Sequence, residues 1–184
     1  MSSSGAADPT IAPSQLGPLA PSRPPSELLT AGAFLDVYRG TVHEANGTMG
    51  SYDFQTYHLA AKGNGILEFL NRPDIALTIF APAGRAFQND VITTEFVAKY
   101  LSDSWVGHSR SMFLNFVVVH DIPLFSSTIK DGSLFTTESD SQITIERTNT
   151  DFAVITENVS IPVKAPVQVP DIPVSNGVIH TLFD

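Results

Sequence analysis

The chain has 184 residues, enough for one domain with a sizeable core and a tail. Its 19 acidic against 10 basic residues give a net charge of -9, which argues against nucleic acid as a partner, because phosphate-backbone binding needs clustered Lys and Arg. The absence of cysteine excludes disulfide frameworks, thiolate nucleophiles and Cys-ligated zinc or iron-sulfur centres.

The opening residues, Met1-Ser2-Ser3-Ser4-Gly5-Ala6-Ala7-Asp8, have neither a basic n-region nor an apolar h-region and do not read as a secretory signal. As written, the chain is either intracellular or a piece of a longer protein. No apolar run approaches the roughly 18 residues of a membrane span, so no direct membrane insertion is predicted.

Residues 1–26 contain Pro9, Pro13, Pro18, Pro21, Pro24 and Pro25 among Ser, Ala and Gly without apolar periodicity, which predicts a flexible tail ahead of one domain over 27–184. Ala12-Pro13 and Ala20-Pro21 also fit hydroxyproline glycosylation. From Ser26, a plausible N-cap, Leu28, Leu29, Phe34, Leu35 and Tyr38 are spaced for one face of a helix. Further helices are predicted over Phe54 to Ala61 and Gly65 to Leu70, the latter ended by Arg72-Pro73-Asp74.

Ala76 to Phe80 reads as a buried central strand that Ala81-Pro82 stops. Thr93 or Thr94 is expected to cap a helix with Phe96, Val97, Tyr100 and Leu101 inward, and Ser109 to cap the next, which leads through Phe116 into the β-branched run Val117-Val118-Val119. The remaining third is β. Lys130-Asp131-Gly132-Ser133 is a turn, Leu134 to Thr137, Gln142 to Thr148 and Phe152 to Thr156 are strands, and Asn149-Thr150-Asp151 joins the last two. Asn176-Gly177 then precedes a final strand over Val178 to Phe183. Helices first and strands second indicate an α+β class.

Several near-motifs fall short of a catalytic or metal site. Gly107-His108-Ser109-Arg110-Ser111 lacks the last glycine of a nucleophile elbow, and His43-Glu44 lacks a second histidine at position 47. Gly63-Asn64-Gly65 lacks the third glycine of a dinucleotide fingerprint. His43, His58, His108 and His120 form no ligand-spaced pair, and Glu138-Ser139-Asp140-Ser141 lacks the pattern of a calcium loop. Neither an enzyme nor a metal or other cofactor is predicted. Two sequons, at Asn46 and Asn158, would accept N-glycans in a eukaryotic secretory pathway.

Three strings carry a family resemblance. Thr78-Ile79-Phe80-Ala81-Pro82 with Ala86-Phe87 matches the pattern T-x-F-A-P-x-x-x-A-F; Asp171-Ile172 with Asn176-Gly177-Val178-Ile179-His180 matches D-I-x-x-x-N-G-V-I-H; and Leu114-Asn115-Phe116-Val117-Val118 is similar to L-x-Y-H-V, with Phe116 for the tyrosine and Val117 for the histidine. Together with Tyr52-Asp53-Phe54 at a helix start, they resemble the fasciclin domain over residues 31 to 184.

The resemblance implies a fasciclin-like fold, a twisted β-sandwich or wedge with helices packed from the N-terminal half. It implies a non-catalytic adhesion or interaction module, secreted or at a cell surface, with a cell-surface or matrix protein or glycan as partner. The alternative it offers is a carrier of an apolar small molecule such as a carotenoid or lipid, for which the 12 phenylalanines would line a cleft if they did not simply fill the core. Integrin contacts in the family are attributed to the Tyr-His segment and to E-P-D-I-M, which Val169-Pro170-Asp171-Ile172-Pro173 resembles in its middle three residues. The candidate partner-contacting residues are therefore Asn115, Phe116, Pro170, Asp171 and Ile172. Asp171 has a structural reading too, as an acceptor for backbone donors in the loop before the last strand, and His180 as a hydrogen-bonded, partly buried imidazole. The family's last strand would run past Asp184, which implies a longer chain with tandem domains or an anchor.

Overall fold

The computed structural model describes residues 28–37, 42–43, 49–50, 54–82, 94–148, 152–156 and 163–182. The tail over 1–26 with its Ser26 cap, the sequons at Asn46 and Asn158, Ala86-Phe87 and the turn at Asn149-Thr150-Asp151 lie outside the described residues.

The helices are α1 (Ala31–Val37), α2 (Gln55–Gly63), α3 (Ile66–Leu70), α4 (Thr94–Tyr100) and α5 (Val106–Leu114). α1 starts only at Ala31, because Leu29 before it is held by another part of the chain, its carbonyl accepting the Ser175 N–H at 2.8 Å. Its first turn is capped by Thr30 Oγ1, which accepts from the Ala33 N–H at 3.3 Å. α5 begins directly after a 3-10 turn at Asp103–Trp105. Ser109, expected as its cap, lies inside the helix instead, fully buried, and its hydroxyl donates to the Trp105 carbonyl one turn back at 2.8 Å. On α4, Tyr100 turns inward as expected, whereas Leu101 just beyond the helix is exposed.

Two short strands, β1 (Val42–His43) and β2 (Met49–Gly50), pair with each other. The main sheet contains β3 (Ala76–Pro82), β4 (Val117–His120), β5 (Leu134–Thr136), β6 (Gln142–Arg147), β7 (Phe152–Thr156), β8 (Val163–Val174) and β9 (Gly177–Leu182). Their order is β4-β3-β9-β8-β7-β6-β5, antiparallel except for the parallel pair β3–β9. β3 runs two residues further than predicted: proline costs an N–H but not the pairing, and Pro82 still lies opposite Leu182. The Lys130-Asp131-Gly132-Ser133 turn forms as predicted, closed by the Ser133 N–H to the Lys130 carbonyl at 3.1 Å with Gly132 at φ 72°.

The sheet curls until its two outer strands meet. Past β5, the Glu138 N–H donates to the Val117 carbonyl of β4 at 2.8 Å, and Ser139 Oγ donates to Asn115 Oδ1. The result is an α+β wedge, a nearly closed sheet with the N-terminal helices against one side.

Strand alternation assigns the side chains to two cores. Leu77, Ile79 and Ala81 of β3 and Ile179 of β9 meet Leu35, Phe54, Tyr57, Leu70 and Phe113 of the helical half. Phe80 of β3 and Leu182 of β9 face the other way, into a core with Val118, Leu124, Ile129, Ile143, Ile145 and Val154. β8 serves both. Ala165 and Val167 pack on the second core, whereas Val169, Ile172 and Val174 pack on the first, and register shifts between Val167 and Val169 and between Val169 and Ile172 make the switch.

Candidate functional site

The second shift in β8 places Pro170, Asp171 and Ile172 inside a strand and not in the loop the sequence suggested. Asp171 adopts φ 64°, a left-handed conformation that Asp tolerates better than most residues. This turns its carboxylate toward the segment between β4 and β5, where Oδ1 accepts the Ser126 N–H at 2.7 Å and Oδ2 accepts the Ser126 hydroxyl. The acceptor role expected for Asp171 is therefore met by one residue of a neighbouring connection. Pro170 is exposed, and Ile172 is half-buried against the helical core.

On β9, His180 lies beside this bulge and is fully buried, more so than expected. Its Nε2 is 2.9 Å from the Leu124 carbonyl, and its Nδ1 is 3.2 Å from the Asp171 backbone nitrogen. Only the neutral imidazole with its proton on Nε2 satisfies both, donating to the carbonyl and accepting the N–H. The ring stacks on Phe80 at 5.2 Å and meets Phe152 edge-on at 5.5 Å. Burial pushes its pKa down, opposed by the Leu124 carbonyl and by the Asp171 carboxylate, whose Oδ1 is 3.9 Å from Nδ1.

The same connection is pinned twice more. The Leu124 N–H donates to Thr78 Oγ1 at 2.9 Å, and the Arg147 guanidinium donates to the Ser126 carbonyl and, at 3.3 Å, to that of Ile129. Ser126, Leu124 and Arg147 complete the constellation, and sequence reasoning missed them: none sits in a motif, and what recruits them is main-chain geometry. The buried threonine Thr78 was at least inside a signature string.

Serine, aspartate and histidine meet here, but not as a nucleophilic relay. That relay needs a serine on one imidazole nitrogen and a carboxylate on the other. Here the serine bonds the carboxylate, and both imidazole nitrogens are occupied by main-chain groups. The cluster is a clamp that holds residues 124–129 against β8 and β9.

Asn115 and Phe116 lie elsewhere, between α5 and β4. Asn115 closes the sheet through Ser139, and Phe116 is half-buried against the second core, its carbonyl accepting the Phe80 N–H at 2.8 Å. The five candidate contact residues thus sit on two separate structural joints, each partly engaged in holding the fold.

Asn176 marks a third joint. Its side chain donates to the carbonyls of Leu70 at 2.9 Å and Arg72 at 2.8 Å and accepts the Ala31 N–H at 2.8 Å, so one buried amide joins α1, the end of α3 and the β8–β9 turn. Gly177 follows at φ 156°, where a Cβ would stand 2.0 Å from the Leu77 carbonyl oxygen. The turn into β9 passes too close to β3 for any side chain.

Of the histidines, His58 is buried with Nε2 2.9 Å from Asp36 Oδ1, close enough for an ion pair but without hydrogen-bond geometry. His108 meets Trp105 edge-on at 5.2 Å, and His120 is exposed at the end of β4. Among the described residues no three His, Cys, Asp or Glu side chains gather as a metal site, and no helix is long and apolar enough to cross a membrane. The buried phenylalanines Phe34, Phe54, Phe80 and Phe113 are packed into the two cores.

The fold is an α+β wedge in which Ser126, Asp171 and His180 bond one another and the main chain. The fasciclin domain family model matches residues 52–183, and the chain belongs to that family. Its fold is similar to that of a FAS1 domain pair from the insect cell adhesion molecule fasciclin I, with a TM-score of 0.61 and 18% identity, over 70% of this chain and 45% of that one. The chain thus spans under half the length of that relative. No curated protein matches it.

Proposed function

We propose that this protein is an adhesion or interaction module, secreted or displayed at a cell surface, that contacts a protein or glycan partner without catalysing a reaction. The observation that carries this reading is the clamp itself: Ser126, Asp171 and His180 spend their polar groups on one another and on the main chain. Membership of a family whose solved relative comes from a cell adhesion molecule supports the same reading. The contact is assigned to the exposed Pro170 with Asp171 and Ile172 on their bulge, and to Asn115 and Phe116 at the sheet closure.

The test is saturable binding of the purified chain to cell layers and to matrix preparations, with Pro170→Glu as the variant. Pro170 has no N–H to lose and is exposed, so a change there alters the surface and spares the core. The expected result is saturable binding that Pro170→Glu weakens. Absence of saturable binding by the folded protein overturns the reading.

A further inference from the structure

A groove of about 410 Å³ opens at one end of the sheet, where β3 begins, the segment after β4 leaves and the β8–β9 turn comes back. Three prolines, Pro73, Pro123 and Pro173, and the half-buried ring of Phe125 give it an apolar lining with few rotamers to freeze on binding. Its charges are Asp74 and Asp121, both exposed. They are not equivalent. Asp74 is gripped by Arg72, with Nε 3.1 Å from one oxygen and the terminal nitrogen 2.6 Å from the other. Asp121 has no hydrogen-bond or ion-pair partner among the described residues.

An incoming ligand therefore meets a rigid proline and aromatic surface beside one uncommitted carboxylate. Anionic ligands are disfavoured there, as they are by the chain's net charge of -9. A guanidinium fits: it pairs with a carboxylate through two parallel hydrogen bonds, and its flat face packs on an aromatic ring. The groove's three prolines offer rigid surface to residues flanking that arginine, which suits the preformed extended conformation of a proline-rich segment.

We propose that this groove docks an extended, proline-flanked arginine of a protein partner, paired with Asp121 and packed against Phe125. The proposal deepens the reading of the chain as an interaction module and rests on it. None of the five candidate contact residues lines this groove, although Pro173 and Phe125 border the Asp171 bulge.

The experiment titrates the full chain against a fluorescein-labelled Pro-Pro-Arg-Pro-Pro peptide by fluorescence anisotropy, with Pro-Pro-Glu-Pro-Pro as the control. The expected result is saturable binding of the arginine peptide alone, weakened about tenfold or more in Asp121→Lys, with Asp121→Asn between the two. Asp121 is exposed and unpartnered, so an unchanged melting temperature separates lost binding from lost folding. Equal binding of the glutamate peptide, or unchanged affinity in Asp121→Lys, overturns the proposal. So does binding that appears only in an Arg23→Glu variant, which would give the groove to the chain's own Arg23-Pro24-Pro25. Failure of the peptide with cell or matrix binding intact removes the groove alone; failure of cell and matrix binding with the peptide bound removes the adhesion reading and leaves the groove.

Discussion

Asp171 and Ser126, 45 residues apart in the chain, are joined twice, through the serine's N–H and through its hydroxyl. The pair fixes the connection between β4 and β5 on the β8 bulge. Asp171→Ala leaves the partly buried Ser126 N–H without an acceptor and puts a residue less tolerant of φ 64° at the bulge, so a loss of about 2–3 kcal/mol is expected in urea unfolding. Asp171→Asn keeps one acceptor oxygen and tolerates the left-handed backbone, and its cost is expected to be smaller, about 1 kcal/mol.

Asn176 supplies one acceptor and two donors to three main-chain groups in two parts of the chain, the start of α1 and the end of α3. In Asn176→Ala all three main-chain groups lose their partner at once, at a cost of about 3 kcal/mol or more. Hydrogen exchange discriminates this from a general weakening: the Ala31 amide should lose protection beyond that of the core strands. Asn176→Asp is expected to be at least as damaging, because it faces a carboxylate oxygen toward two carbonyls.

The clamp makes stability fall in mild acid. Burial depresses the pKa of His180 in the folded protein, so protons bind the unfolded chain more readily. Above the unfolded value of about 6.5 its contribution is fully present; as pH drops below that, the unfolded state takes up a proton first and stability is lost until the folded value is passed. The two existing bonds also oppose protonation, since a proton on Nδ1 would face the Asp171 N–H. Urea midpoints at pH 7.5 and 5.5 should therefore differ more in the parent chain than in His180→Gln.

Tyr57 is buried and stacked on Phe113 at 4.0 Å, yet its hydroxyl has no hydrogen-bond partner among the described residues. Burial pushes its pKa well up, and that of the buried Tyr100 up to about 12, so both remain neutral through the physiological range. Removing an unpaired buried hydroxyl while keeping the ring is expected to be neutral or stabilising by up to about 1 kcal/mol. Thermal unfolding of Tyr57→Phe checks this; a clear loss of stability would mean that the hydroxyl has a partner.

Much of the order of elements was legible because it rests on local chemistry: the β-branched runs of β4 and β6, the glycine turn at Gly132, and the break at Arg72-Pro73-Asp74. β8 was not, since Pro166, Pro170 and Pro173 read locally as loop. The strand survives them because its first half pairs with β7 and its second half with β9, so each half keeps one side where no ladder bond is required. The start of α1 was missed for a related reason. α1 takes its cap partly from Asn176, 145 residues away, and no local rule registers so distant a partner. The signature strings located Thr78, Asp171 and His180, but the clamp they form needed Leu124 and Ser126, whose roles come only from where the main chain passes.

The anchoring of residues 29–31 on Ser175 and Asn176 sets how the molecule would carry tension. That anchor lies at the start of β9, and Leu182 lies at the other end of the same strand. A pull between the two acts along β9, flanked by β3 in parallel and β8 antiparallel. Both ladders lie alongside that line, so neither is in series with the pull. For a protein read as an adhesive link, load applied there would fall first on the bonds at Leu29, Ala31 and Asn176, before any strand of the sheet has to part.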